Sequence, residues 1–373
     1  MHNINPKILD DLASDDCLLE VIPSWTVEHA EENIWLHSEK GDSLIFSGDM
    51  GEYHILTETS SAGLIERRIS RSTGKRYKIS ALVNLWALGV IRVRDEQAAL
   101  YDSGKDERFR WQDEYFKAFS NSENSVSLMN RKLRNSSVCI IGAGAAGSLA
   151  ALILTAAGVG RIRLIDGDII ALSNLPRQFL YPESSVGRLK VEVLREILMH
   201  HSSQVKVENI AEFINSQKQA VTAVRGTDFV LLTADQPRLK IREWVGKASL
   251  ELHIPYLAMA SNWIGPISVP FNSLCYLCQA RNYRSRYPDP TSFVKKLIEE
   301  PLPDRSAFGP RPASVASFMA STILHFLSGN STKKSLFESF KVSLGGDLER
   351  LTYTRYRNCP ACGTLTSHSS AQS

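Results

Sequence analysis

Gly142, Gly144 and Gly147 stand in a G-x-G-x-x-G spacing, and Asp166 follows the last of them by 19 residues. Asp168, Asn174, Arg177, Gln178 and Lys190 crowd the next stretch, and Asp235 lies further on in "LLTADQP". Glycines let backbone N–H groups approach a phosphate, a helix N-terminus favours its negative charge, and an acid at this distance meets a ribose hydroxyl. That device serves NAD, FAD, SAM and ATP alike. The cations narrow it. Hydride transfer builds no new phosphate charge, so a dehydrogenase has no need of Arg177 and Lys190. An in-line displacement on ATP does need them, to balance the triphosphate and the charge that develops. Asp235 would sit at the carboxyl end of a strand, where it is placed to hold Mg²⁺. Arg177, Lys190 and Asp235 are therefore the catalytic candidates. The competing reading makes each a surface charge beside a loop; it fits any one of them better than the group.

Cys275 and Cys278 form one C-x-x-C pair, "CYLC", and Cys359 and Cys362 another, "CPAC". Two such knuckles match the four-thiolate, tetrahedral preference of Zn²⁺. No His or carboxylate adjoins them, so the expectation is a closed structural ion stapling the C-terminal segment back onto its domain. Buried thiols and a lone redox pair are the competing readings. Cys17 and Cys139 read as plain small apolar residues.

The elements that must position these residues follow from the hydrophobic pattern. Val138–Ile141 is an apolar run that reads as a buried strand, Ser148–Ala157 as a helix and Ile162–Ile165 as the next strand. "VKVENI", "DFVLLTAD" and "PYLAMAS" read as further strands, with helices over Leu189–His200 and Leu239–Glu251 between them. Alternating strand and helix predicts an α/β fold with a doubly wound, mostly parallel, Rossmann-like sheet. This catalytic domain is expected over residues 137–373. Residues 96–136 read as a polar, partly helical linker. Residues 1–95 differ: "DSLIFSG" and "GVIRVRD" look like short strands, while "SSAGLIERRIS" and "ISALVNLWALG" carry apolar residues at helical spacing. That pattern predicts a small α+β domain of winged-helix type.

The order of the motifs "GAGAAG", "LIDGD", "SNLPRQ", "VGRLKVE", "TAD" and the two C-x-x-C pairs resembles the ThiF/MoeB family, the adenylating domain also found in ubiquitin-activating enzymes. The resemblance runs from about residue 105 to the C-terminus. It implies a fold that binds ATP·Mg²⁺ and activates a peptide carboxylate as an acyl-adenylate. It places Gly142, Gly144 and Gly147 around the phosphates, Asp166 on the ribose, and Asn174, Arg177, Gln178 and Lys190 on the triphosphate, with Asp168 beside them and Asp235 on magnesium. It also implies a homodimer. Two departures stand out. Thioester-forming members carry a cysteine after the first zinc pair, and no cysteine lies between Cys278 and Cys359. The family also sends an arginine across the dimer; here the matching segment is "RFRWQDEYF", the position itself falls at Trp111 or Gln112, and Arg108 or Arg110 stands in for it.

An N-terminal module fused to this domain is similar to that of family members that act on ribosomally made precursor peptides in peptide-antibiotic biosynthesis. A leader peptide can add as a strand to an exposed sheet edge. The activated group is then a glutamate side chain, condensed within the same peptide, or the C-terminal carboxylate; a sulfur-carrier protein is the alternative substrate. The rival of another class is a nucleotide-binding, winged-helix DNA regulator. It draws on the basic stretch Glu66–Lys78, which suits an acidic peptide or a solvated turn as well. A formal net charge of +3 gives nucleic acid no general support. No apolar run approaches the roughly 18 residues of a membrane helix. The acidic N-terminal stretch lacks the apolar core of a signal peptide, so a cytoplasmic location is expected. Residues 283–312 are proline-rich and read as a lid or an extended crossover, with Tyr283, Arg284, Arg286 and Arg305 as possible peptide contacts.

Overall fold

The computed structural model describes residues 107–120, 124–259, 263–285, 289, 308–342 and 347–363. Within the first hundred residues it describes 18–21, 25–30, 33–38, 43–47, 52, 55–56, 64–65, 77, 79–88 and 90–94. Cys17, Arg286, Arg305, most of the 283–312 segment and all of Glu66–Lys78 except Tyr77 lie outside the described residues. The chain divides into two compact units, Met1–Asn130 and Arg131–Ser373.

In the first unit, β1 (Leu18–Val21) lies between β5 (Leu64–Ile65) and β6 (Ile91–Arg94), all antiparallel. A second sheet is the antiparallel meander β2 (Trp25–Ala30), β3 (Asn33–Ser38), β4 (Ser43–Ser47). Helix α1 (Ile79–Ala87) follows, as its apolar spacing predicts. Ile34, Leu36 and Phe46 share a core with Leu82, Leu85 and Ile91. The helical reading of "SSAGLIERRIS" fails at Leu64 and Ile65, which pair with Glu20 and Leu19. Local spacing cannot reveal a ladder partner some forty-five residues away, and two adjacent apolar residues fit either period. Helix α2 (Arg110–Lys117) comes next, and α3 (Val126–Asn135) runs across the division into the second unit.

The second unit is built on a five-stranded parallel sheet of order β11-β10-β7-β8-β9: β7 (Ser137–Ile141), β8 (Arg161–Ile165), β9 (Lys206–Ile210), β10 (Phe229–Leu232) and β11 (Tyr256–Ala258). Side chains alternate across a strand, and both faces of β7 are buried. Val138 and Ile140 face one core, with α4 (Ala145–Ala156), α5 (Lys190–His201) and α9 (Pro310–Leu327). Cys139 and Ile141 face the other, with α6 (Gln217–Val224) and α7 (Lys240–Leu252). Helices on both faces explain why the strands read as continuous apolar runs rather than alternating ones. The doubly wound fold is as the sequence predicts. Beyond the sheet, Cys275 caps and Cys278 lies in α8 (Tyr276–Arg284), and Cys359 and Cys362 lie in the turns after the hairpin β12 (Glu338–Val342), β13 (Leu348–Thr352). No helix among the described residues is long and apolar enough to cross a membrane.

Candidate functional site

The order of strands reverses beside β7: the chain leaves it for β8 on one side and returns to β10 on the other. Ligands of open α/β sheets bind in the crevice at such a point, outside the carboxyl ends of the strands. The glycine turn lies there. Gly142 has φ +104°, and a Cβ on it would stand 2.6 Å from the Ala234 amide nitrogen. A Cβ on Gly147 would stand 1.9 Å from the Gly142 carbonyl oxygen. These two glycines are required by the fold of the turn itself. Gly144 is different. It is extended, with φ −74° and ψ −159°, it precedes α4 as its N-cap, and no side chain caps the helix. A Cβ there would meet nothing nearer than Gln178 Nε2 at 3.9 Å. The space above the helix N-terminus is open, which is the cradle a phosphate needs.

Asp166, at the end of β8, ties two turns together. Its Oδ2 accepts from the Ala143 amide at 2.6 Å, and its Oδ1 from the Asp168 amide at 2.8 Å. A carboxylate has about four acceptor positions, so two bonds leave room for ribose hydroxyls. Asp168 in turn accepts from Lys190 Nζ at 2.8 Å. The lysine side chain is 6% exposed and the aspartate 53%. A buried ammonium is thus held by a carboxylate that water still reaches. Between them runs the crossover segment. Asn174 Oδ1 accepts from the Ala171 amide, closing a short turn, and Arg177 donates to the Ser173 carbonyl at 2.7 Å. Gln178 is 4% exposed, and its Oε1 has no hydrogen-bond partner among the described residues. A buried amide oxygen left without a partner costs on the order of 1–3 kcal/mol, so a water or a bound group completes it.

On the β10 arm, the Thr233 hydroxyl donates to the Gly142 carbonyl at 2.7 Å. Asp235 is exposed, two residues further on, before the cis Gln236–Pro237 bond. Arg242 of α7 donates to the Met259 carbonyl. Burial lowers the pKa of its guanidinium, and the nearby Tyr256, Tyr283, Tyr353 and Asp235 act against that.

The fold thus brings Gly142, Gly144, Gly147, Asp166, Asp168 and Lys190 into one connected set, with Asn174, Arg177 and Gln178 on the adjoining segment and Asp235 on the opposite arm. Arg108 and Arg110 belong to the first unit, where Arg110 pairs with Glu107 at 3.5 Å and lies over the Trp111 ring. Sequence reasoning missed Thr233, Tyr181 and Arg242. Each acts through a partner distant in the chain, and no spacing signals it.

The four cysteines Cys275, Cys278, Cys359 and Cys362 converge, with all sulfurs within 4.8 Å of one another. Cys275 and Cys359 Sγ are 3.5 Å apart, and Cys278 and Cys362 Sγ 3.7 Å. Zn–S bonds of about 2.3 Å in a tetrahedron put sulfurs about 3.8 Å apart, so the set fits zinc. Burial pushes the Cys275 thiol far up and Cys278 to about 11. At Cys359 burial also raises the pKa, but the Ala361 and Cys362 amides and the neighbouring thiols outweigh it and bring it to about 7. The knuckles are buried among Leu274, Phe271, Phe337, Leu351 and Tyr353.

The model of the ThiF family matches residues 119–361. Among curated proteins, the chain is similar to the adenylyltransferase and sulfurtransferase UBA4 of Lodderomyces elongisporus, at 27% identity over 248 residues, 62% of this chain and 50% of that protein. The chain therefore spans about half the length of that relative. Among solved structures, it is similar to E. coli MccB with ATP, at 22% identity and TM-score 0.74, covering 93% of this chain and 100% of that one. MccB with AMPCPP and MccA gives 22% and 0.75, covering 93% and 99%. PaaA gives 20% and 0.58, covering 74% and 91%.

Proposed function

Because the chain belongs to the ThiF family, we propose that it uses ATP to adenylate a carboxylate of a ribosomally made precursor peptide. The observation that carries the nucleotide part is the buried Lys190 held by Asp168, beside an open Gly144 and the buried Gln178 side chain. The observation that favours a peptide is the reach of the likeness. MccB is similar over 93% of the chain, which takes in residues of both units, and its structures include one with MccA. The match to UBA4 runs over 62%.

A peptide carboxylate oxygen attacks the α-phosphorus of ATP, the bond to the bridging oxygen breaks, and pyrophosphate leaves. Lys190 and Arg177 bind the phosphates and balance the charge that grows on them. The amides of the glycine turn hold phosphate oxygens, Asn174 and Gln178 orient the nucleotide, and Asp166 takes the ribose. Asp235 would hold Mg²⁺, which supplies further charge neutralisation at the leaving group. Cys139 is fully buried, and its thiol is pushed up to about 12 by burial above all. The four cluster cysteines are committed to one another. The mixed anhydride is therefore consumed by a nucleophile of the peptide itself or of a second substrate, without a thioester on a described cysteine.

Two carboxylates suit this scheme. Resemblance to the pantocin A maturation enzyme PaaA puts activation on glutamate side chains that then condense within the peptide. Resemblance to the enzyme of microcin C biosynthesis puts it on the peptide's C-terminus, and the longer structural likeness, to MccB, favours that one. Structural zinc and a homodimer, with Arg108 or Arg110 reaching the partner's site, belong to the same reading. The test is pyrophosphate–ATP exchange by the full chain with synthetic short peptides. Exchange with a peptide ending in Asn supports terminal adenylation; exchange with a glutamate-pair peptide, followed by loss of water, supports condensation. Exchange driven only by a ubiquitin-like protein ending in Gly-Gly overturns the peptide reading.

A further inference from the structure

Ala143, at the apex of the glycine turn, has glycine on both sides, so its peptide group needs fixing from outside. Its N–H is held by Asp166 Oδ2 at 2.6 Å. Its carbonyl is held by the Tyr181 hydroxyl, which donates to it at 2.7 Å across 38 residues of chain. Tyr181 is 3% exposed and Ala143 1%. The tyrosine closes the turn whose first residue is Gln178, since its own N–H donates to the Gln178 carbonyl at 3.1 Å. The phenol thus joins the segment that carries Asn174, Arg177 and Gln178 to the turn that faces the phosphates.

We propose that Tyr181 is a positioning residue for nucleotide binding: its hydroxyl fixes the Ala143 carbonyl and so pre-orders the amides of the glycine turn before ATP arrives. The proposal rests on the adenylating function above. Without the hydroxyl, the turn would be ordered at the expense of binding, so affinity falls. The loss is equal in ground and transition state, so turnover at saturation is unchanged. Burial, and then the charge of Asp166, raise the phenol's pKa. The hydroxyl therefore stays protonated, and the effect is flat with pH.

The experiment compares the full chain with Tyr181→Phe. Calorimetric titration with ATP alone should show an affinity loss of about three- to tenfold, the range of one net hydrogen bond. Turnover at saturating ATP should stay within about twofold, and the affinity ratio should not change from about pH 6 to 9. Amide hydrogen exchange over residues 142–147 of the nucleotide-free chain should speed up. Equal ATP affinity, with only a lower melting temperature, would show a purely structural tyrosine and overturn the proposal. A loss confined to turnover would overturn it too. A wild-type chain that binds no ATP removes both this proposal and the function it rests on, whereas ATP binding without peptide-dependent exchange removes only the function.

Discussion

Gly144→Ala separates folding from nucleotide binding. The residue is extended, at φ −74° and ψ −159°, a conformation alanine adopts without strain. Its Cβ would find no atom closer than 3.9 Å. A glycine-to-alanine change at a compatible position stabilises by about 0.4–1 kcal/mol, through the unfolded chain. Glycine is also the better N-cap by a similar amount, so the two effects offset and the nucleotide-free protein should melt within a few degrees of the original. The methyl occupies the open side of the turn, where a phosphate oxygen would come within about 2.9 Å of a backbone nitrogen. Losing one charge-assisted bond costs about 1.5–3 kcal/mol, a roughly 10- to 150-fold weaker ATP complex. Gly147→Ala is the contrast. Its Cβ would stand 1.9 Å from the Gly142 oxygen and 2.6 Å from Thr233 Oγ1. Turn and helix must move apart, at a cost of about 3 kcal/mol or more, before any ligand is considered. Calorimetry for binding and thermal melting for stability read the two effects separately. An alanine at 144 that binds ATP within threefold of the original would refute the placement of the phosphates over this turn.

Lys190→Ala should weaken ATP binding by roughly 10- to 100-fold in direct titration, as one charge-assisted bond to phosphate is lost; the Asp168 left behind is half-exposed and stays hydrated, so melting should change little. Cys359→Ser should lower metal content, measured by mass spectrometry, below one zinc per chain. The associated loss of more than about 4 kcal/mol should lower the melting temperature of the second unit by about 8–16 °C. His325, on α9, has its pKa lowered by burial. Its unfolded form takes up a proton that the folded form resists, so stability should fall as pH drops below about 6.5. His325→Gln should flatten the melting-temperature profile there.

The second unit was largely legible because its signals are local. An apolar run, a glycine turn and a helix follow one another within twenty residues at β7 and α4, and the expected boundaries of β8, α5, α7 and β10 lie within a few residues of those found. The cysteine pairs announced a shared site although eighty residues part them, since each knuckle is half of a known ligand set. The first unit was less legible. Ile34 and Leu36 alternate with half-buried neighbours along β3, a period-two signal that the sequence reading passed over. β5 is two residues long and exists because β1 offers it a ladder. Within the proposed site, type and spacing picked out the residues that the fold brings together around the glycine turn. The ones that hold them were not found that way: a phenol on a carbonyl 38 residues back, and a threonine hydroxyl on one 91 residues back, become visible only when the strands are laid side by side.

On the proposed function, Lys190 separates the nucleotide chemistries in a way the glycines do not. A dehydrogenase would need the turn, the open Gly144 and Asp166, and all three are present here. It would gain nothing from an ammonium 6% exposed at the start of α5. Taking that charge out of water costs several kcal/mol, and an apolar residue of similar size would serve the fold as well or better. Asp168 offsets part of this, but it is half-exposed and supplies one carboxylate oxygen where the ammonium has three donors. A triphosphate offers the remaining acceptors and far more charge. The cost makes sense at a site that meets phosphates whose charge grows during reaction. Thr233 then binds the β10 arm to the same turn through the Gly142 carbonyl, so the arm bearing Asp235 and the arm bearing Lys190 are held to one short piece of backbone. Displacement at phosphorus needs that rigidity, because incoming carboxylate and departing pyrophosphate must lie in line and stabilising charge must already be in place when they do.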